Sequence, residues 1–207
     1  MTPGTTTLHL QACLDRLRGG DAAARDELLR HSQERLRRLA AQMLTRMPAV
    51  RRWEDTDDVL QRLLLRMNQL LGRVEVVSVR DYLCLAATNL RRVLIDLIRH
   101  YQGPHGLGAN YATPPPGLRD GADRNAPEAV ADDSADNTLS PDDWSAFHEK
   151  AAALPDDERA VFDLRWYHEL KPEEAADVLD ISLSTCNRRW LSARLILAAA
   201  VRGRLPD

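Results

Sequence analysis

Apolar residues recur along most of this chain at three- and four-residue intervals, the spacing of helix faces rather than of strands. Leu10, Cys13, Leu14 and Leu17 form the first stripe, closed by Gly19, Gly20 and Asp21. Asp21 is placed to cap a second helix, with Ala24, Leu28, Leu36, Leu39, Met43 and Met47 on or near one face until Pro48. Asp55, Thr56, Asp57 and Asp58 load the next N-terminus with caps and negative charge. Val59, Leu60, Leu63, Leu64, Met67 and Leu71 follow on a broad stripe, and Gly72 marks its stop. "RVEVV", residues 73–77, lacks a partner strand and reads as loop. Ser78 then caps a long helix from Val79 to about Tyr101.

The pattern breaks after Tyr101. Residues 103–140 are rich in Pro, Gly, Asp, Asn and Ala and poor in large apolar side chains. Such a segment predicts a linker, and its length argues for two small helical domains rather than one domain with a loop. The expected organisation is a helical bundle over 1–102, an acidic linker over 103–140 and a second helical domain over 141–207. As a flexible coil the linker would average roughly 35 Å end to end, and fully extended it would reach about 130 Å.

Order resumes with a helix from about Pro141 to Ala153. Another runs from Asp156 through Val161, Leu164 and Arg165 towards Tyr167. Pro172 suits a helix N1 position, "EEAADVL" makes a short helix, and "DIS" is a turn before a last helix from Leu183 to about Val201. The final pair predicts a helix-turn-helix. Ala175 and Ala176 are small where the second helix crosses, Asp180 tolerates a left-handed backbone, and Ser182 caps. Cys186, Trp190, Ala193 and Leu197 fall in one sector and should be core. Ser184, Arg188, Leu191 and Leu195 point the other way, flanked by Asn187 and Thr185. An outer N-terminal face of Ser, Thr, Asn and Arg suits base edges and phosphates in a major groove, with Arg189 and Arg194 to the sides for phosphates. Such a unit fits a repressor, a response-regulator effector domain or a polymerase specificity factor.

The formal net charge is −3, yet it is segregated. Residues 1–102 carry 17 basic and 12 acidic groups, whereas 103–140 carry two and six. Between Ile181 and Pro206 there are five Arg and no acid, and DNA responds to that local field. Cys13, Cys84 and Cys186 have no ligand spacing and read as small buried hydrophobes in a reducing compartment. The six histidines form no metal pattern, and no phosphate loop or nucleophile motif is present. No enzyme, metal or cofactor is expected. No signal peptide or membrane span is legible, so a cytoplasmic protein with no membrane association is expected.

Four collinear stretches resemble the extracytoplasmic-function (ECF) sigma factors, minimal sigma-70-class specificity subunits of bacterial RNA polymerase. "GGDAAARDELLRHSQERLRRLA" is similar to the family's opening helix and "DDVLQRLLLRM" to its polymerase-docking helix. "LAATNLRRVLIDLIRH" resembles the long promoter helix of one subgroup. "LPDDERAVFDLRWYHELKPEEAADVLDISLSTCNRRWLSARLIL" resembles region four, with its E-E-A-A, S-x-x-T and R-x-W-x-x-A-R elements.

The resemblance implies a non-catalytic subunit that binds core polymerase, through the β′ clamp helices and β flap, and promoter DNA. An anti-sigma factor is a further partner it allows. Asp58, Gln61, Arg62 and Arg66 would face polymerase. Asn89, Arg92, Asp96, Arg99 and His100 would face the −10 element. Ser184, Thr185, Asn187, Arg188 and Arg189 would face the −35 element. The chain departs from the pattern in several places: Arg62 stands for a usual Glu, Asp180 for the turn Gly and Cys186 for a core Val, and "HYQGP" follows Arg99 where the subgroup carries more basic residues. The loop 72–78, where the family captures a promoter base, has no aromatic to stack on it. The alternative is a stand-alone two-domain helix-turn-helix regulator, expected to bind palindromic DNA as a dimer.

Overall fold

The computed structural model describes residues 3–102 and 139–200, and among these every regular element is helical. The N-terminal group comprises α1 (Pro3–Arg18), α2 (Ala23–Arg46), a single turn α3 (Pro48–Arg51), α4 (Thr56–Leu71) and α5 (Val79–Gln102). The C-terminal group comprises α6 (Pro141–Ala152), α7 (Asp156–Phe162), a π turn (Asp163–Tyr167), α8 (Pro172–Leu179) and α9 (Leu183–Ala200). The linker expected over 103–140 lies outside the described residues except for Leu139 and Ser140.

Local chemistry sets most boundaries. Asp21 Oδ1 accepts from the Ala23 amide at 3.0 Å beside the start of α2. Asp55 Oδ1 accepts from the amides of Asp57 at 2.8 Å and Asp58 at 2.9 Å, and the Asp58 carboxylate accepts from the Asp55 amide in return. Ser78 with Asp81, and Ser140 with Asp143, make the same reciprocal box at α5 and α6. Gly72 ends α4 with right-handed torsions, not the left-handed ones usual for a terminal glycine. A Cβ there would lie 3.4 Å from the Arg25 guanidinium.

Two features depart from the sequence pattern. Pro48 does not simply end α2: Met47 leaves the helix with φ −123° and ψ 68°, and Pro48 opens α3 at N1. The helix begun at Asp156 does not run uniformly to Tyr167 either. It widens into the π turn, where the His168 amide bonds the Asp163 carbonyl five residues back at 3.2 Å. The extra residue per turn lets Asp163, Leu164, Trp166 and Tyr167 all be buried.

The buried apolar side chains of the two groups form one continuous cluster. Helix α5 is at its centre. Tyr82, Ala86, Leu90 and Leu97 are buried, and one side of the helix meets α1 and α4, while Tyr82 and Ser32 of α2 share a buried hydrogen bond of 2.5 Å. Its other flank meets α6 and the π turn. There Arg91, 2 % exposed, forms a two-pronged ion pair with Asp163, which is 1 % exposed. His168 is wedged beside it, its Nε2 donating to the Leu83 carbonyl at 2.8 Å while Arg35 donates to its own carbonyl at 3.2 Å. Arg99 with Glu149 and Gln42 with Glu169 close the exposed rim.

Candidate nucleic-acid interface

The helix-turn-helix closes on the residues expected of it. Asp180 adopts φ 52° and ψ 48°, the left-handed region that glycine enters most easily. The Ile181 amide bonds the Ala176 carbonyl at 3.1 Å, finishing α8. Ser182 Oγ accepts from the Thr185 amide at 3.1 Å and caps α9. Cys186, Ala193 and Leu197 are fully buried. Trp190 is half-buried, stacked on Phe162 and covered by the Arg165 guanidinium 4.3 Å from its ring. Both faces are thus engaged with protein, and Trp190 belongs to the packing of the motif.

Ser184, Asn187 and Arg188 project outward from the first turns of α9. Arg188 has no acidic partner among the described residues. Thr185 is half-buried, its hydroxyl 2.9 Å from that of Ser182. Asn187 Oδ1 accepts a 3.4 Å hydrogen bond from Arg165. Arg189 is tied to Asp157 of α7. Ser184, Asn187 and Arg188 therefore share the outward face, while Thr185 and Arg189 are half-buried and held by protein partners. Arg165, which the sequence pattern places only within the helix begun at Asp156, joins this face. Its burial lowers its pKa, and its position between Asn187 and Trp190 depends on a contact that spacing does not show.

The residues expected on α5 are dispersed by the fold. Arg92, Arg99 and His100 are exposed. Asn89 is 1 % exposed and donates to the Leu85 carbonyl one turn back at 2.8 Å, so its side chain lies inside the protein. Asp96 is not matched with Arg92 or Arg99 along its own helix; it accepts from Arg66 of α4 at 2.6 Å. On α4, Asp58 is engaged in the capping box, and Gln61 is exposed. Arg62 donates to the buried Glu54 at 2.5 Å, a carboxylate that also receives the Tyr101 hydroxyl at 2.8 Å. Trp53 stacks on Tyr101 next to this group, with ring planes 4° apart. Trp53, Glu54, Arg51 and Arg52 line an open cleft of about 470 Å³.

Among the described residues no group of His, Cys, Asp and Glu is arranged to hold a metal ion, and no helix is long and apolar enough to cross a membrane. The three cysteines are free, and burial raises the pKa of each thiol.

The geometry defines a helix-turn-helix protein with an outward Ser-Asn-Arg edge, carried on a larger helical body. Its sequence matches the family described as ECF sigma factor over residues 9–203. The chain belongs to that family: it is an RNA polymerase sigma factor, a non-catalytic subunit that binds core polymerase and directs promoter recognition. Comparison with curated proteins gave no significant match.

Proposed function

We propose that the two helical groups divide the promoter between them. Helix α9 reads the −35 element, with Ser184, Asn187 and Arg188 at base edges and Thr185 and Arg189 beside the backbone. The exposed edge of α5, carrying Arg92, Arg99 and His100, meets the −10 element. Asp96 tempers the charge there, and Asn89 contributes from within the helix rather than by contact. The face of α4 with Asp58, Gln61, Arg62 and Arg66 docks on the β′ clamp helices. Leu191 and Leu195, 60 % and 65 % exposed on α9, suit the β flap. An anti-sigma factor would act by covering these same faces.

The observation carrying this reading is the uncommitted Arg188 at the outer edge of a capped second helix, in a chain whose family directs promoter choice. In vitro transcription with purified core polymerase and a promoter library tests it. Arg188→Ala should weaken recognition at one upstream base pair by about 1–3 kcal/mol if the guanidinium pairs with a base. Equal loss on every sequence would make Arg188 a phosphate contact, and an unchanged library profile would remove α9 from the −35 element.

A further inference from the structure

Arg165, on the π turn, makes no ion pair among the described residues. Its guanidinium lies 4.3 Å from the centre of the Trp190 ring, and Trp190 is itself stacked on Phe162. A cation over an indole face is held by the quadrupole of the ring, which fixes the planar fork in place. From there Arg165 Nη1 donates to Asn187 Oδ1 at 3.4 Å, between residues 22 positions apart. A guanidinium only donates, whereas a carboxamide has one accepting and one donating end. The contact therefore decides which way the exposed Asn187 amide turns: oxygen towards the protein, nitrogen away from it.

We infer that Arg165 is a positioning residue for promoter specificity, which sets Asn187 to offer its Nδ2 hydrogens to an acceptor on a −35 base edge. The inference rests on the placing of α9 proposed above. In the major groove guanine shows two acceptors, O6 and N7, and thymine shows O4, whereas cytosine shows only its N4 donor. The two-pronged pairing of asparagine with adenine uses amide oxygen and nitrogen together, at N6 and N7. With the oxygen drawn to Arg165 that pairing is withdrawn, and guanine or thymine is favoured under Asn187. Arg188 beside it also has only donors, so the outer edge of α9 seeks acceptors from two successive residues. Neighbouring side chains do not compete for the amide: Thr185 is closed on Ser182, and Arg189 is tied to Asp157. One hydrogen bond holds the orientation, so the expected effect is a preference of about 3- to 10-fold and not an exclusion.

The test is in vitro transcription by holoenzyme assembled with the full chain, on barcoded templates randomised through the −35 element. The base pair under Asn187 is the one whose preference Asn187→Ala abolishes, and there the wild-type chain should favour guanine or thymine. Arg165→Met keeps an apolar stem over Trp190 and removes the donor. It should raise adenine relative to guanine at that base pair by about 3- to 10-fold, and in the Asn187→Ala background it should move no base preference. Asn187→Asp changes only an exposed side chain, so it carries the test if circular dichroism shows Arg165→Met to be unfolded. It keeps one oxygen on Arg165 and points the other outward, so the preference should turn to cytosine. Adenine favoured by the wild-type chain, or an unaltered preference in Asn187→Asp, would overturn the inference. So would an even loss over all sequences in folded Arg165→Met, which would make Arg165 a phosphate contact, or a shift that survives Asn187→Ala, which would make it a base contact itself. A profile unmoved by both Asn187→Ala and Arg188→Ala would instead strike the placing of α9 at the −35 element.

Discussion

Arg66 of α4 holds Asp96 of α5 at 2.6 Å, so a residue assigned to the polymerase face neutralises one assigned to the promoter face. Their side chains are 38 % and 55 % exposed, and an ion pair so wet contributes little stability. Asp96→Ala should therefore cost less than about 1 kcal/mol of folding free energy in urea. It should also release Arg66 and remove an acid beside DNA. The salt dependence of open-complex formation should then steepen by about one phosphate contact. An unchanged slope would put this edge of α5 away from the nucleic-acid path.

Arg62 has a structural task where the family pattern has a glutamate. Its partner Glu54 has a side chain only 4 % exposed, and the cation balances that buried carboxylate. Arg62→Glu would set two carboxylates together, so a loss of polymerase binding in that variant would report a damaged fold. Arg62→Gln is the cleaner substitution. Its expected cost is about 1–2 kcal/mol, less when combined with Glu54→Gln. Denaturant titration of the double-mutant cycle measures the coupling; additive losses would show that the pair does not act as a unit.

Asp180 bears the left-handed turn of the helix-turn-helix at the energetic disadvantage of having a Cβ. Asp180→Gly should stabilise the chain modestly, by about 0.5–1 kcal/mol. Asp180→Val should destabilise it by more than that, because a β-branched side chain is least tolerated at positive φ. Thermal melts of the two variants give opposite signs if the turn governs; equal behaviour would mean that the backbone has relaxed out of this conformation.

His148 and His168 are both fully enclosed, and burial pushes each down to about 3, aided by Arg91 at His148 and by Arg35 and Arg91 at His168. His148 Nδ1 lies 2.8 Å from the Tyr167 hydroxyl. Both rings are neutral in the folded chain, while the unfolded chain takes up protons below an ordinary histidine pKa of about 6.5. Stability is thus fully present above that pH and declines as pH falls from there towards the depressed folded values, by up to about 1.4 kcal/mol per pH unit for each ring. Urea midpoints between pH 7.5 and about 5 check this. His168→Gln should flatten the lower limb, and a profile flat to pH 5 in the wild-type chain would contradict the burial of both rings.

The helices and their caps were legible in the sequence because each depends on residues close in the chain. Asp55 and Asp58, Ser78 and Asp81, and Ser182 and Thr185 are three positions apart, and the apolar periods fix which face turns inward. The helix-turn-helix was legible for the same reason, since Ala176, Asp180, Ser182 and Cys186 specify turn, cap and core within eleven residues. Only the tertiary structure decided which charges remain free. Arg62 finds Glu54, Arg66 finds Asp96, Arg189 finds Asp157, and Arg91 finds Asp163, over separations of 8, 30, 32 and 72 residues. Long-range ion pairing leaves no period in a sequence, because a guanidinium on a helix flank looks the same whether solvent, DNA or a distant carboxylate receives it. The π turn that buries Asp163 is invisible for a related reason: one extra residue in a turn shifts the face a side chain occupies without changing the composition that predicts a helix.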